Sequence, residues 1–342
     1  MDVGILLADV EKSVSAADHL DLILRQVEAA QRNGIKYIAA GQHFGYPDYR
    51  WLQPIPLFAR LAAELEPDTR LATTILIAPL YHPVMLAEEL ATLDVMTRGQ
   101  LTVGLAIGYL PNEFKIFNVP MAERGARLEE TILLLRRLWS ENVVSHDGQF
   151  WQVSEFQQHI APIQVAGPPI WVGAHSLAGV RRAGRVGDAW LPPPKLTMPE
   201  HKALLAEFIS VHGQNHENLG PQPLRREIAI GRDRHDALKK YEELVRGRYI
   251  HQAAYGTDAL TGITKRDMAE RLGDVVEQHV IAGTATDCVR QVSDIAASLK
   301  ETGITVNPLI TRATWPGMGP KGAVDYLDSL GKEFVPALSA IS

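Results

Sequence analysis

Histidine, tyrosine, threonine and serine recur in this chain where short apolar runs end, and those ends are where chemistry is expected. Gly41-Gln42-His43-Phe44 follows one run, and Thr73, Thr74 and Ile75 close the next, with Pro79 and His82 beyond. Gly108-Tyr109 follows a third, with Pro111-Asn112-Glu113 after it, and Gly173-Ala174-His175-Ser176 ends a fourth. Trp190-Leu191-Pro192 and Thr311, the latter leading to Trp315-Pro316-Gly317-Met318, complete the set. Imidazole among hydroxyls suits a site that binds a flat, polar-edged ring and moves a proton, since an unperturbed histidine titrates at about 6.5. His43 is the candidate proton carrier, with Tyr109 beside it as the weaker candidate. The Gly173 to Ser176 turn leads into a helical pattern at Leu177. Backbone N–H groups at such a helix start form a phosphate seat, to which Ser176 adds a hydroxyl.

Other chemistries fit less well. No cluster of carboxylates accompanies these residues, which argues against a metal hydrolase. Gly104 and Gly108 lack the Gly-x-Gly-x-x-Gly spacing of a dinucleotide turn, and Ser176 lacks the Gly-x-Ser-x-Gly elbow of a serine hydrolase. His212 and His216 have an i, i+4 spacing, but Gly213 interrupts the helix and no third ligand is apparent, so no metal site is expected. Arginines and lysines between Arg225 and Arg248 are mixed with acids and read as a solvated helical surface. A basic rim for a phosphate-rich coenzyme tail is the sharper alternative.

Elements that place those residues follow from periodicity. Val3 to Leu7 reads as a buried strand, and His19 to Arg32 as a helix stopped by Asn33-Gly34. Strands are expected at Ile35 to Ala40, Arg70 to Ile77 and Leu101 to Ile107, with helices at Leu52 to Glu66, Val84 to Met96 and Ala122 to Trp139. Val143 to Pro169 breaks the rhythm as an excursion before strand five, Pro169 to Gly173. Strand six is Asp188 to Leu191, helix Pro199 to Val211 follows, and strand seven is Glu227 to Gly231. Residues 232–283 read as a polar, helix-rich insertion after strand seven. Helix Thr286 to Lys300, strand eight from Ile304 to Ile310 and Lys321 to Leu338 end the pattern. Strand and helix in alternation imply a parallel sheet with right-handed crossovers, and eight such strands favour a (β/α)8 TIM barrel with the site at its C-terminal mouth. No repeat or linker divides residues 1–342, which are expected to form one domain.

Bulk properties agree. The chain has 342 residues, which suits a barrel of about 250 residues with insertions. Lysine and arginine number 34 against 40 acids, a net charge of -6 that argues against a nucleic-acid partner. No apolar run approaches the ~18 residues of a membrane span, and no signal peptide is read at the N-terminus. Cys288 is the single cysteine, which fits a cytoplasmic protein without an internal disulfide.

Three segments carry a resemblance. Residues 82–139, HPVMLAEELATLDVMTRGQLTVGLAIGYLPNEFKIFNVPMAERGARLEETILLLRRLW, resemble the signature of luciferase-like flavin-dependent oxidoreductases. PPIWVGAHSLAGVRRAGRVGDAWL, residues 168–191, resembles the second hallmark of that family, and Gly283-Thr284 before a helix the third. The resemblance implies a (β/α)8 fold with a flavin at the mouth. One branch takes reduced FMN from a separate flavin reductase and activates oxygen; another transfers hydride with the deazaflavin coenzyme F-420. By the same likeness, His43 lies near the reactive part of the ring, and Thr74-Ile75 forms a non-proline cis peptide behind it. Tyr109 lies where members place a residue that touches flavin or substrate. Thr73, Thr74, Ile75, Gly108, Asn112, Gly173, Ala174, His175 and Ser176 are the expected cofactor-binding set, and a homodimer is the expected assembly. Two departures stand out. Many members carry Glu where this chain has Gln42, so a charge beside His43 is expected to be lost, and many FMN-using members have Arg where this chain has Ile107.

The function expected from these features is a flavin-dependent, two-component monooxygenase acting on a small organic molecule. A deazaflavin-dependent reductase or dehydrogenase is the enzymatic alternative. A flavin-binding protein without turnover is the alternative from another class.

Overall fold

The computed structural model describes residues 1–46, 48–215, 219–253, 264–315 and 318–341. Its main sheet is built from parallel strands β1 (Val3–Leu6), β2 (Tyr37–Ala40), β3 (Arg70–Thr73), β4 (Leu101–Ala106), β5 (Ile170–Gly173), β6 (Ala189–Leu191), β7 (Gln222–Arg225) and β8 (Val306–Arg312). Pairing runs β6-β5-β4-β3-β2-β1-β8-β7. Between the two ends a side chain replaces the ladder: Gln222 Oε1 accepts the Trp190 N–H at 3.1 Å. The result is a nearly closed (β/α)8 barrel. Helices α1 (Ala16–Arg32), α2 (Pro54–Leu61), α3 (Pro83–Met96), α4 (Arg124–Ser140), α5 (Leu177–Val186), α6 (Met198–Asn215), α7 (Ala285–Lys300) and α8 (Gly319–Ser329) follow the strands in turn.

Side-chain alternation explains the layers. Leu6, Ala39, Ala72, Trp171, Leu191 and Ile310 cluster inside the barrel, while Ile5, Ile38, Leu71, Val172 and Leu309 face the helices. The helices answer with apolar stripes. In α1, Ser15 accepts from the Asp18 N–H as N-cap, and Leu22, Ile23, Val27 and Ala30 are buried. Both excursions also form. Val144–Asp147 and Gln152–Phe156 pair as an antiparallel hairpin before β5, clamped by Glu130, which accepts the Phe150 and Trp151 N–H groups.

Strand seven differs from its expected place. Gln222–Arg225 pairs with β8, whereas Glu227–Ile230 pairs in parallel with Val280–Gly283 in a separate two-stranded sheet. The apolar run Glu227 to Gly231 was therefore a genuine strand in a different sheet; the barrel strand is harder to read because Gln222, Pro223 and Arg225 interrupt it. Helices Arg234–Ala253 and Lys265–His279 lie between the two strands of that small sheet. Their outward faces are polar, yet Tyr241, Val245, Met268, Leu272 and Val276 bury a seam of their own. Among the described residues no helix is long and apolar enough to cross a membrane.

Between β3 and β4 the ladder is interrupted where the site begins. Leu71 and Ala72 pair with Leu101 and Thr102, and pairing resumes only at Leu76 and Ile77 with Leu105 and Ala106. In the gap Thr73 Oγ1 accepts the Gly104 N–H (2.7 Å) and donates to the Gly104 carbonyl (2.8 Å), standing in for a strand backbone. That closeness requires glycine: a Cβ at position 104 would sit 2.0 Å from the Thr73 carbonyl oxygen. Gly104→Ala is therefore expected to destabilise the fold by about 3 kcal/mol, the upper part of the range for overpacking, because backbone cannot step aside. Urea unfolding reads this as a lower midpoint at unchanged slope. An unchanged midpoint would mean that the two strands are not in this register.

Candidate active site

The segments that follow β2 and β4 converge on His43. Its ring is fixed from both nitrogens: Nδ1 lies 3.0 Å from Glu113 Oε1 and Nε2 lies 3.2 Å from the Tyr109 hydroxyl. Glu113 Oε1 also accepts the Phe44 N–H at 2.8 Å. A carboxylate bonded to Nδ1 favours the tautomer that carries hydrogen there and leaves Nε2 to exchange a proton with Tyr109 or a bound molecule. Around the ring stand Tyr46, Trp51 and Tyr109, with centroids 4.9, 4.8 and 5.5 Å away. The side chain is 15% exposed, so it is walled in but reachable.

Glu113 stands among the strand-end residues without an expected role, whereas its neighbour Asn112 is an expected cofactor contact. The short helix Pro111–Ile116 explains the difference, for it leaves Asn112 exposed and buries Glu113 completely. The expectation that a charge beside His43 is lost with Gln42 is corrected by the same residue. The carboxylate comes from the loop after β4 instead of from β2. Gln42 is buried and holds the scaffold together. Its Oε1 accepts the Ile77 N–H (2.9 Å), and its Nε2 donates to Gln53 Oε1 (2.9 Å) and to the Tyr81 hydroxyl. Burial raises the Tyr81 phenol above its usual pKa, so it stays neutral in that role. Gln53 in turn donates to the His43 carbonyl at 3.0 Å.

The Thr74–Ile75 peptide is cis, as the resemblance implies. Thr74 Oγ1 is buried without a hydrogen-bond partner. Ile75 lies among small residues: a Cβ on Gly173 would be 3.2 Å from Ile75 Cγ2 and 3.3 Å from Ala106 Cβ. Gly41, Ala106 and Gly173 are partly exposed around it, forming a wall of little side-chain bulk at the mouth. Thr73, by contrast, is fully buried, and its hydroxyl is occupied by Gly104. Gly108 has a φ of +70° that suits glycine, and a Cβ there would come within 2.7 Å of Ile77 Cγ2.

Beyond β5, Ser176 is the N-cap of α5 and accepts the Gly179 N–H at 3.2 Å. Ala174 is half-buried and its carbonyl accepts from Trp190 Nε1 at 2.8 Å, while His175 and Ser176 are exposed. First-turn N–H groups of Leu177 and Ala178 have no helical partner by construction.

His212 is buried against Phe208, with ring centroids 5.3 Å apart, and His216 lies outside the described residues, as do Pro316 and Gly317. Trp315 packs edge-on to Tyr241 and Tyr326 within the insertion's core. Cys288 is buried, and burial pushes its thiol up to about 12, which makes it inert. The basic stretch is not wholly a solvated surface. Arg232 and Arg246 pair with i, i+4 acids in solvent, but Arg226 is buried and Arg248 is largely enclosed. Burial lowers Arg226 to about 10, and burial with Arg226 beside it lowers His201 to about 3, so His201 Nδ1 accepts from Arg226 at 3.0 Å as a neutral ring.

The family model described as luciferase-like monooxygenase matches residues 1–304. The chain belongs to that family. This luciferase-like chain is accordingly an enzyme, and its similarities fall on both oxidative and reductive relatives. It is 31% identical over 156 residues to the oxygenase component of a flavin-dependent trigonelline monooxygenase of Acinetobacter baylyi, covering 45% of this chain and 43% of that one. It is 26% identical over 234 residues to a phthiodiolone/phenolphthiodiolone dimycocerosates ketoreductase of Mycobacterium tuberculosis, covering 67% of this chain and 60% of the relative. An F420-dependent hydroxymycolic acid dehydrogenase of the same organism is 29% identical over 180 residues, 50% of this chain and 48% of the relative. The chain thus spans roughly half the length of these relatives. Among solved structures, monooxygenase RslO1 from Streptomyces bottropensis superposes with a TM-score of 0.81 at 23% identity, covering 98% of this chain and 99% of that one. The oxygenating constituent of 3,6-diketocamphane monooxygenase from Pseudomonas putida gives 0.79 at 15% identity, covering 98% of each chain, a likeness of fold.

Proposed function

We propose that this enzyme is the oxygenase half of a two-component monooxygenase. It would take reduced FMN from a separate flavin reductase and act with oxygen on a small organic substrate. The observation that carries this reading is the small-residue wall at the mouth, with His43 fixed beside it by Glu113 and Tyr109. A flat ring fits a wall of Gly41, Ala106, Gly173 and Ile75, and the orphaned Thr74 hydroxyl offers it a polar contact. A reduced flavin supplies the electrons. His43 Nε2 holds or delivers the proton that compensates charge on the bound molecule, Tyr109 aligns that nitrogen, and Tyr46 and Trp51 keep bulk water from it.

The first turn of α5 would hold the flavin phosphate through the Leu177 and Ala178 N–H groups and the Ser176 hydroxyl. Because Ser176 is also a helix cap, Ser176→Ala would lose about 1 kcal/mol of stability whether or not phosphate binds. Ser176→Asp separates the two roles. It keeps the cap and sets a negative charge at the seat, so stability should hold while reduced FMN binds at least ~10-fold more weakly. A variant that takes up FMN as the parent does would place the phosphate elsewhere.

Deazaflavin F-420 is the second reading, favoured by the apolar Ile107 at the end of β4. Anaerobic titration with reduced FMN and with reduced F-420 decides between them. Oxygen consumption dependent on reduced FMN and an added reductase supports the monooxygenase; uptake of F-420 alone rejects it. The reading also takes residues 1–342 as one domain acting in the cytoplasm as a homodimer. Exposed Met85, Val95 and Met96 on α3 and Leu133 on α4 support the dimer, and sedimentation at the monomer mass would remove it.

A further inference from the structure

Arg312 ends β8 on the same side as Ile310, which lines the barrel interior, and Asp9 follows shortly after β1. Arg312 Nη1 donates to Asp9 Oδ1 at 2.6 Å, and Arg248, from helix Arg234–Ala253, donates to Asp9 Oδ2. Arg312 and Asp9 are 5% and 1% exposed, and Arg248 is 12% exposed. Burial alone would raise the Asp9 carboxyl, but the two guanidinium groups outweigh it and hold the group well below the usual carboxylate range. Each guanidinium carries five N–H donors. Among the described residues each arginine side chain donates a hydrogen bond to Asp9 alone. Glu227, the other carboxylate whose field reaches Arg248, accepts from the Tyr241 hydroxyl at 2.7 Å instead.

Two positive charges, Arg312 buried and Arg248 largely enclosed, thus share one negative charge and leave most of their donors idle. Such an arrangement is costly unless an anion completes it. A purely structural latch does not account for it. Of the two arginines only Arg248 comes from the insertion, whereas Arg312 belongs to the barrel as Asp9 does and draws on the same carboxylate.

The idle donors adjoin the site. The Arg248 guanidinium carbon is 5.7 Å from the Trp51 ring centroid and 5.8 Å from that of Tyr49. Trp51 lies 4.8 Å from the His43 ring and 4.7 Å from Tyr46. One indole therefore separates Arg248 from the histidine.

We propose that the substrate is a small planar organic carboxylate, its anionic group held by Arg248 and Arg312 and its ring packed among Tyr46, Tyr49 and Trp51 beside His43. This rests on the oxygenase reading above and adds the substrate class to it. A planar fork of donors matches a carboxylate in two-point contact, which lysine cannot reproduce.

Benzoate and its neutral isostere benzamide, titrated against the full chain by calorimetry near neutral pH, test the idea without any flavin. Benzoate should bind at least ~10-fold more tightly than benzamide, the lower end for a charge-assisted contact. Arg312→Gln should abolish that preference. Arg248→Lys keeps the charge beside Asp9 but loses the fork, and should weaken benzoate several-fold. Equal affinity for the two probes, or binding of neither, overturns the proposal, as does a benzoate affinity unchanged in both variants. A parallel flavin titration keeps the two readings apart. Parent protein that takes up flavin yet does not prefer benzoate loses the substrate class alone, and parent protein that takes up no flavin loses the oxygenase reading.

Discussion

His43→Ala should lower turnover at least ~100-fold with saturating reduced coenzyme while coenzyme affinity changes little. The expected size is that of a positioned proton donor or acceptor, typically about 100- to 10,000-fold. Binding is expected to persist because the proposed phosphate seat at α5 and the wall of Gly173 and Ala106 involve no atom of this ring. Tyr109→Phe should cost less. It removes the hydroxyl 3.2 Å from His43 Nε2 but keeps the aromatic edge against the imidazole. Stopped-flow turnover beside a binding titration, for both variants, makes the comparison. If His43→Ala turns over near the parent rate, the proton is carried by another group, and His43 is only the keystone of an aromatic cluster.

The parts of this site that were legible in the sequence share one property: backbone position decides them. His43, Tyr109 and the Gly173 to Ser176 turn lie at strand ends, and strand ends follow from where apolar runs stop. The interrupted ladder at Thr73 was within the expected strand Arg70 to Ile77, yet its break was not visible, because Thr73 looks like any β-branched strand residue until Gly104 is seen against it. The roles of Glu113, Asp9, Arg248 and Arg312 were not legible for another reason. A charged residue buried by tertiary contacts has the same letter as one in solvent. The signal for Glu113 was its place two residues into a proline-started turn after β4, at the mouth of the barrel. Arg248 offered no local signal, since its burial depends on Asp9, 239 positions away in sequence. Tyr46, Tyr49 and Trp51 were more accessible. Three aromatics within six positions after a strand end mark a lined pocket better than an ordinary loop.

Glu113 should prove as important as the histidine it holds. Glu113→Ala is expected to cost about 3 kcal/mol of stability and at least ~10-fold in turnover. The stability loss arises because Glu113 is fully buried and its Oε1 serves two donors at once, the Phe44 N–H and His43 Nδ1. Alanine strands both and leaves a cavity. The turnover loss arises because the imidazole is then free to rotate away from Tyr109, and a small misplacement of a proton carrier is expensive. Glu113→Gln refines the cause. An amide oxygen in the place of Oε1 preserves both bonds, while the amide N–H₂ falls where Oε2 lies buried with no hydrogen-bond partner. If orientation is the whole contribution, Glu113→Gln should recover most of the turnover lost in Glu113→Ala; if the negative charge beside the imidazole matters, it should remain as slow as alanine despite a folded, ordered ring. Chemical unfolding of both variants, read against their turnover, separates a damaged scaffold from a mispositioned histidine. Parent-like turnover in Glu113→Ala would show that Tyr46, Trp51 and Tyr109 hold His43 by packing alone, and the carboxylate would then be structural.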